Sequence, residues 1–255
     1  MQFLIGSDPE VFIKSRQYGH YKSAVGLVGG SKQNPKPIDK YGHAIQEDNV
    51  SVEFNIPPAA SLKDFKASIK KVLNHIQSIL PEYIIDTSSA VSFPKEELNT
   101  PEAQEFGCEP DYNAWLKTVN PKPETSDQNL RSAGGHIHVG SIVAQHNPIA
   151  VIRAMDLFLG VPSVSMDKGI LRRKLYGKAG SFRPKSYGAE YRTLSNFWIF
   201  NDDTIEWAYD GTRRALEFVS QNKSIPDNDG YLIQRCINAN RLEDFHHLNN
   251  IYNLA

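Results

Sequence analysis

The decapeptide Arg131-Ser132-Ala133-Gly134-Gly135-His136-Ile137-His138-Val139-Gly140 sets two imidazoles two residues apart among glycines and β-branched residues. In an extended strand both rings leave the same face. Asp8, Glu10, Glu47, Glu53 and Glu190 fall in further strand-like segments. Carboxylate oxygens suit hard cations such as magnesium, and imidazole suits a divalent metal or a phosphate. The set therefore suggests a sheet whose polar face holds divalent metal and works on an anionic substrate.

A basic cluster runs from Arg172 to Arg183 and includes Arg173, Lys174 and Lys178; Glu190 and Arg192 follow on one strand face. Forked guanidinium groups fit phosphate oxygens. Acids, imidazoles and arginines together suit a metal-bound polyphosphate. Taken singly, each feature has a plainer reading: solvated acids, core histidines held by backbone groups, an exposed basic loop. Glu53 resists that reading most, since it sits mid-strand in Val52-Glu53-Phe54-Asn55-Ile56.

The elements that must position these groups follow from periodicity. Residues 2–14 read as a strand interrupted at Pro9, with Asp8 and Glu10 on one face. From Glu47 to Ile56 the alternation predicts one strand, with Glu47, Asn49, Ser51, Glu53 and Asn55 opposite Val50, Val52, Phe54 and Ile56. Ser61, with Asp64 three residues on, starts a helix whose apolar stripe runs from Leu62 to Leu80. Asn147-Pro148 starts another, and Gly160 is placed to stop it. Strands near 90–93, at the His-Ile-His segment and over 189–197, and helices over 203–221 and the C-terminal segment, complete the pattern. Alternating strands scattered among helices predict an α+β fold, a mostly antiparallel sheet with helices on one face. The other face is then open to ligands.

The chain has 255 residues, 40% of them apolar, and a net charge of −1. That predicts one domain over residues 1–255 with a sizeable core. No basic stripe argues for nucleic acid. Cys108 and Cys236 make neither a disulfide framework nor a metal-ligand spacing, which points to a reducing cytoplasm. The sequence shows no apolar run near ~20 residues and no export signal, so no membrane partner is expected. Gly26 to Pro37 and Thr118 to Asp127 read as long surface loops.

Five segments, in order, resemble a known family: Gly-Ser-Asp-Pro-Glu-Val-Phe at 6–12, Glu-Asp-Asn-Val-Ser-Val-Glu-Phe-Asn-Ile-Pro-Pro at 47–58, Phe-Gly-Cys-Glu-Pro-Asp-Tyr-Asn-Ala-Trp at 106–115, Ala-Gly-Gly-His-Ile-His-Val-Gly at 133–140 and Ala-Glu-Tyr-Arg-Thr-Leu-Ser at 189–195. They are similar to the phage amidoligases, the type 2 carboxylate-amine ligases of the glutamine synthetase and glutamate-cysteine ligase superfamily. The resemblance implies a funnel of antiparallel strands with helices on its outer face. It also implies ATP and two or more magnesium ions, with manganese as a substitute, and a carboxylate activated as an acyl phosphate before an amine attacks it. The substrates expected are an amino acid, a peptide or a cell-wall peptide.

Residue by residue, Asp8 and Glu10 resemble the metal-binding acid pair of the first strand, with Asp standing where the larger enzymes carry Glu. Glu53 resembles the later acid of the second strand, and Glu47 is taken as its partner, with Asp48 and Asn49 as the alternatives. His136 resembles the metal-ligating histidine and His138 an ATP-phosphate contact. Glu190 and Arg192 resemble the late pair, one on metal and one on the phosphoryl group or substrate. Arg183, Arg173 and Lys178 are expected on the nucleotide phosphates. Two other readings compete: a metal-dependent hydrolase using His136, His138 and an acid to activate water, and a non-catalytic phage structural or binding domain.

Overall fold

A computed structural model describes residues 2–104, 111–121 and 125–254. Its strands are β1 (Leu4–Ser7), β2 (Glu10–Ser15), β3 (Tyr21–Lys22), β4 (Lys36–Pro37), β5 (Ala44–Asp48), β6 (Ser51–Ala59), β7 (Tyr83–Asp86), β8 (Ala90–Ser92), β9 (Tyr112–Asn113), β10 (Thr118–Val119), β11 (Leu130–Ser132), β12 (Ile137–Gly140), β13 (Ser181–Lys185) and β14 (Gly188–Tyr191). One antiparallel sheet runs in the order β10-β9-β13-β14-β12-β1-β6-β2-β3, with β5 on β6, β4 on β5 and β7 on β2. β8 and β11 form a separate pair. The fold is α+β, as expected.

Pro9 does interrupt the first strand, and the interruption has a use. β6 is long enough to pair with β1 through Ile56 and Ala59 and with β2 through Val52 and Glu53. The break lets the chain bend between the two pairings, so Asp8 sits at the joint.

The expected single strand over 47–56 is instead a tight hairpin. β5 and β6 pair Asp48 with Ser51, Glu47 with Val52 and Gln46 with Glu53, and Asn49 takes the left-handed conformation at φ 55°. Asn tolerates that region because its short polar side chain bonds locally; here Asn49 Oδ1 accepts from Val50 N. Two turn residues reverse the facing of everything before them. Gln46, Asp48, Ser51 and Glu53 share one face, and Glu47 goes to the other with Val52.

The predicted apolar face packs as expected except at Val50, which the hairpin turn sends to the other side. Val52, Phe54 and Ile56 join Phe65, Ile69, Val72 and Ile76 of the helix Leu62–Ile79 in the main core. Ser61 Oγ caps that helix by accepting from Asp64 N and donating to Asp64 Oδ2. The opposite face is only partly open: Phe12, Val50, Phe93, Leu98, Ala103 and Ala133 form a second, smaller core there. This patch braces the site from below, because Phe12 and Glu10 are two apart on β2.

Gly160 does not stop its helix. Pro148–Met155 continues through a π-helical turn at Asp156–Gly160 into Val161–Met166. A Cβ at Gly160 would meet Ile237 Cδ1 at 2.6 Å and the Tyr191 hydroxyl at 2.8 Å, so close packing, not capping, requires this glycine. The run Pro148–Met166 is long and apolar enough to cross a membrane, contrary to the expectation above, but 72% of it is buried inside the fold. Likewise the strand expected over 189–197 ends at Tyr191, and Ser195, accepting from Phe197 N, caps a 3-10 turn over Asn196–Phe200.

Candidate active site

Sheet register assembles the site in two rows. Gly6, His138, Glu190 and Arg183 stand side by side across β1, β12, β14 and β13. Glu10, Glu53 and Gln46 stand side by side across β2, β6 and β5. Gly6 opposite His138 leaves room beside the imidazole, its absent Cβ lying 3.6 Å from His138 Cβ.

Two sets of possible ligand atoms result, each with its atoms within 4.8 Å of one another: Asp8, His136 and Glu190; and Glu10, Asp48 and Glu53. Both histidines of the His-Ile-His segment do face one way. Asp8 Oδ1 lies 2.9 Å from His138 Nε2 and 3.5 Å from His136 Nδ1. His138 Nδ1 meets the Tyr187 hydroxyl, and Ser7 Oγ donates to the His136 carbonyl at 2.5 Å.

The electrostatics of the two sets differ. Burial pushes Asp8 up, but His138 and His136 outweigh it and hold the carboxyl well below its usual range. Burial also works against Glu190, yet the Arg192 guanidinium beside it holds it at about 2. His136 is pushed down to about 4 by burial and by Arg192, so its ring is neutral and can offer a lone pair. In the all-carboxylate set the balance is reversed. Burial and Asp48 push Glu10 up to about 7. Burial, Asp8, Asp48 and Glu10 push Glu53 well above the carboxylate range. A cluster of buried acids that repel one another fits a divalent cation, which would neutralise them together. Asp8 Oδ1 and His138 Nε2 are buried and pair with each other at 2.9 Å, and both atoms are of types that ligate a divalent cation.

Cations border both sets. Arg192 donates to Glu190 and reaches Asp111 at 3.8 Å; Arg183 lies 3.7 Å and Lys185 2.8 Å from Glu190. A cavity of about 410 Å³ opens beside Glu10, Asp48 and His136 and is bordered by Lys32, Arg131, Arg172 and Arg192. Its size suits a small-molecule ligand. Burial pulls Arg172 down to about 10, while it donates to the carbonyls of Thr193 and Arg192. Its Nε is buried with no hydrogen-bond partner.

The structure thus brings together Asp8, Glu10, Glu53, His136, His138, Glu190, Arg192 and Arg183. Three expected residues stand apart from these, although Glu47 still borders the cavity. Glu47 joins neither carboxylate set, because the hairpin turns it away; its oxygens accept from Gly26, Val28 and Gly29 N, and Asp48 takes its place. Arg173 is a core residue, 3% exposed, donating to Ser163 Oγ and Asp167 Oδ2. Lys178 does not border the cavity, and its carbonyl accepts from Thr193 Oγ1. Arg172, one position before Arg173, faces the cavity instead. A helix over Ile170–Leu175 turns about 100° per residue, so neighbouring arginines must face differently. Cys108 lies outside the described residues.

No curated protein matches the chain. Residues 127–210 match the model of one family, described as Phage phiEco32-like COOH.NH2 ligase-type 2. The matched stretch holds the His136/His138 strand, the Arg172 helix, Arg183, Glu190 and Arg192. Over residues 127–210, about a third of the chain, the protein is thus similar to the phage phiEco32-like carboxylate-amine ligase type 2 family, which supports the amidoligase resemblance of its motifs.

Proposed function

We propose that the protein is an ATP- and magnesium-dependent ligase that joins a carboxylate to an amine through an acyl phosphate, acting on an amino acid or peptide. The observation that carries this reading is the pair of ligand sets on one sheet face, opening beside a cavity bordered by cations. Asp8, His136 and Glu190 would hold one divalent ion, and Glu10, Asp48 and Glu53 another. Such ions, when bound, neutralise and orient the nucleotide phosphates.

The reaction needs two displacements. A carboxylate oxygen attacks the γ-phosphorus and ADP leaves; the amine nitrogen then attacks the acyl carbon, phosphate leaves and one proton is released. Arg192 and Arg183 stand where they can stabilise charge developing on the transferred phosphoryl group. Glu190 keeps those arginines in place and is itself ionised at neutral pH. Arg172 supplies a further buried cation at the cavity wall. The small core around Phe12 and Phe93 excludes water from one side, which protects an acyl phosphate from hydrolysis.

A thermal melt with ATP and magnesium together, each alone, and neither tests this reading, since a ligand bound only by the folded state raises its stability. A rise that needs both supports the ligase. A full rise with metal alone favours a metal-dependent hydrolase, and no rise at millimolar ligand contradicts both.

A further inference from the structure

Glu47 was turned out of the carboxylate set, and what it does instead is specific. Its Oε1 accepts from Val28 N at 3.2 Å and Gly29 N at 2.7 Å, and its Oε2 from Gly26 N at 3.0 Å. A carboxylate that takes three backbone N–H groups from one short segment fixes that segment's path, as an anion does in a backbone nest. The segment packs closely at its end, where Gly30 at φ +82° has no room for a side chain: a Cβ there would meet Lys36 N at 2.7 Å and Ile45 O at 2.8 Å. Lys36 Nζ closes the loop from the far side by donating to the Val28 carbonyl at 3.0 Å.

Beyond this clamp the chain makes a tight reversal. Ser31 N donates to Asn34 O and Asn34 N to Ser31 O, at 3.1 and 3.0 Å, so Lys32 and Gln33 form its tip. Both border the cavity, as do Arg172 and Arg192. Lys32 is exposed, and among the described residues its ammonium has no ion pair or hydrogen bond. The other cavity cations are engaged: Arg192 on Glu190, Arg172 on two carbonyls, and Arg131 on Asn49 and the carbonyls of Gln128, Leu130 and Ala103. Lys32 is the cavity cation left to meet a ligand on a flexible arm.

We propose that Glu47 is a positioning residue that holds the Gly26–Asn34 loop over the cavity so that Lys32 binds the polyphosphate of the substrate nucleotide. The inference rests on the nucleotide reading above and adds to it one contact and its support. The cavity wall sets Lys32 and three arginines beside the carboxylates Glu10, Glu47, Asp48, Glu102 and Asp111, a mixed lining that suits a polyphosphate brought with its cation more than a bare monocarboxylate.

The test is calorimetric titration of MgATP into wild type, Lys32→Ala, Glu47→Gln and the double variant. Losing one charge-assisted contact weakens binding by about tenfold. Lys32→Ala and Glu47→Gln should each show a loss of that order, and the double variant no more than the single ones, because Lys32 acts only where Glu47 holds the loop. Lys32→Arg should restore affinity, which a purely structural role would not require. Glutamine keeps Oε1 and presents an amide to Gly26, so amide exchange should quicken at Gly26 in Glu47→Gln. MgATP binding by wild type that Lys32→Ala leaves unchanged overturns this inference alone. Additive losses overturn the positioning role. No MgATP binding by wild type overturns the ligase reading and this inference with it.

Discussion

Glu10 on β2 and Glu53 on β6 are direct cross-strand partners, and both carboxyls are driven above their ordinary range, Glu10 to about 7. Like charges opposite one another cost stability in a sheet, so this pairing is a cost of the metal-free fold that a bound cation would remove.

The cost has a sign and a window. Glu10 titrates near 4.5 when unfolded and about 7 when folded, so its contribution favours folding below about 4.5 and is lost as the pH rises through about 7. The metal-free protein should therefore lose stability across that interval, by an amount on the order of 1–3 kcal/mol from this group. Urea unfolding in chelator at several pH values, wild type against Glu10→Gln, checks this; equal pH profiles for the two contradict it.

Cation binding must displace the protons those two acids hold. Magnesium or manganese affinity should rise with pH through about 7, with proton release on binding. Titrations in buffers of different ionisation enthalpy measure the protons directly, and a pH-independent affinity between 6 and 8 would remove the all-carboxylate set as the site.

The hairpin turn at Asn49 and Val50 separates neighbouring acids by role. Asp48→Asn should weaken manganese binding by tenfold or more, a loss of about 1.4 kcal/mol or above, whereas Glu47→Gln should leave binding of the metal alone unchanged. Equal effects of the two substitutions would contradict the facing that the register imposes.

Arg173 and Arg192 should part company in the same way. Arg173 is buried against Asp167, and removing one partner of a buried pair costs about 3–5 kcal/mol, so Arg173→Leu should lower the unfolding free energy by that order. Arg192→Lys keeps the charge but loses the fork; it should cost turnover while changing stability by less than about 1 kcal/mol. Chemical denaturation and steady-state ATP hydrolysis on both variants separate the two effects.

Much of this site was legible in the sequence because strand periodicity is local. His136 and His138 at spacing two, Glu190 and Arg192 at spacing two, and Glu53 amid apolar neighbours needed no long-range information. The facing of Glu47 was not legible from alternation, since a two-residue turn leaves the pattern of polar and apolar positions looking continuous. The signal for it was Asp48-Asn49, turn formers in the middle of the run. Arg172 and Arg173 could not be told apart without the phase of a six-residue helix. Lys32 was missed for a different reason: a loop residue reaches the cavity only through the clamp at Glu47, a contact that joins two segments 18 to 21 residues apart. Gly160 was misread because a glycine demanded by packing looks, in sequence, like a glycine placed to cap.

The proposed reaction joins an acid and an amine at the expense of ATP. The most direct test uses a pool of amino acids labelled with 18O in their carboxyl groups, with unlabelled amines, ATP and magnesium, followed by mass spectrometry of product, ADP and phosphate. An amide product, one ADP for each amide, and one 18O atom carried from the acid into the released phosphate are expected, with all three lost in Glu53→Gln. An amide formed without ADP, or phosphate released without label, would contradict it.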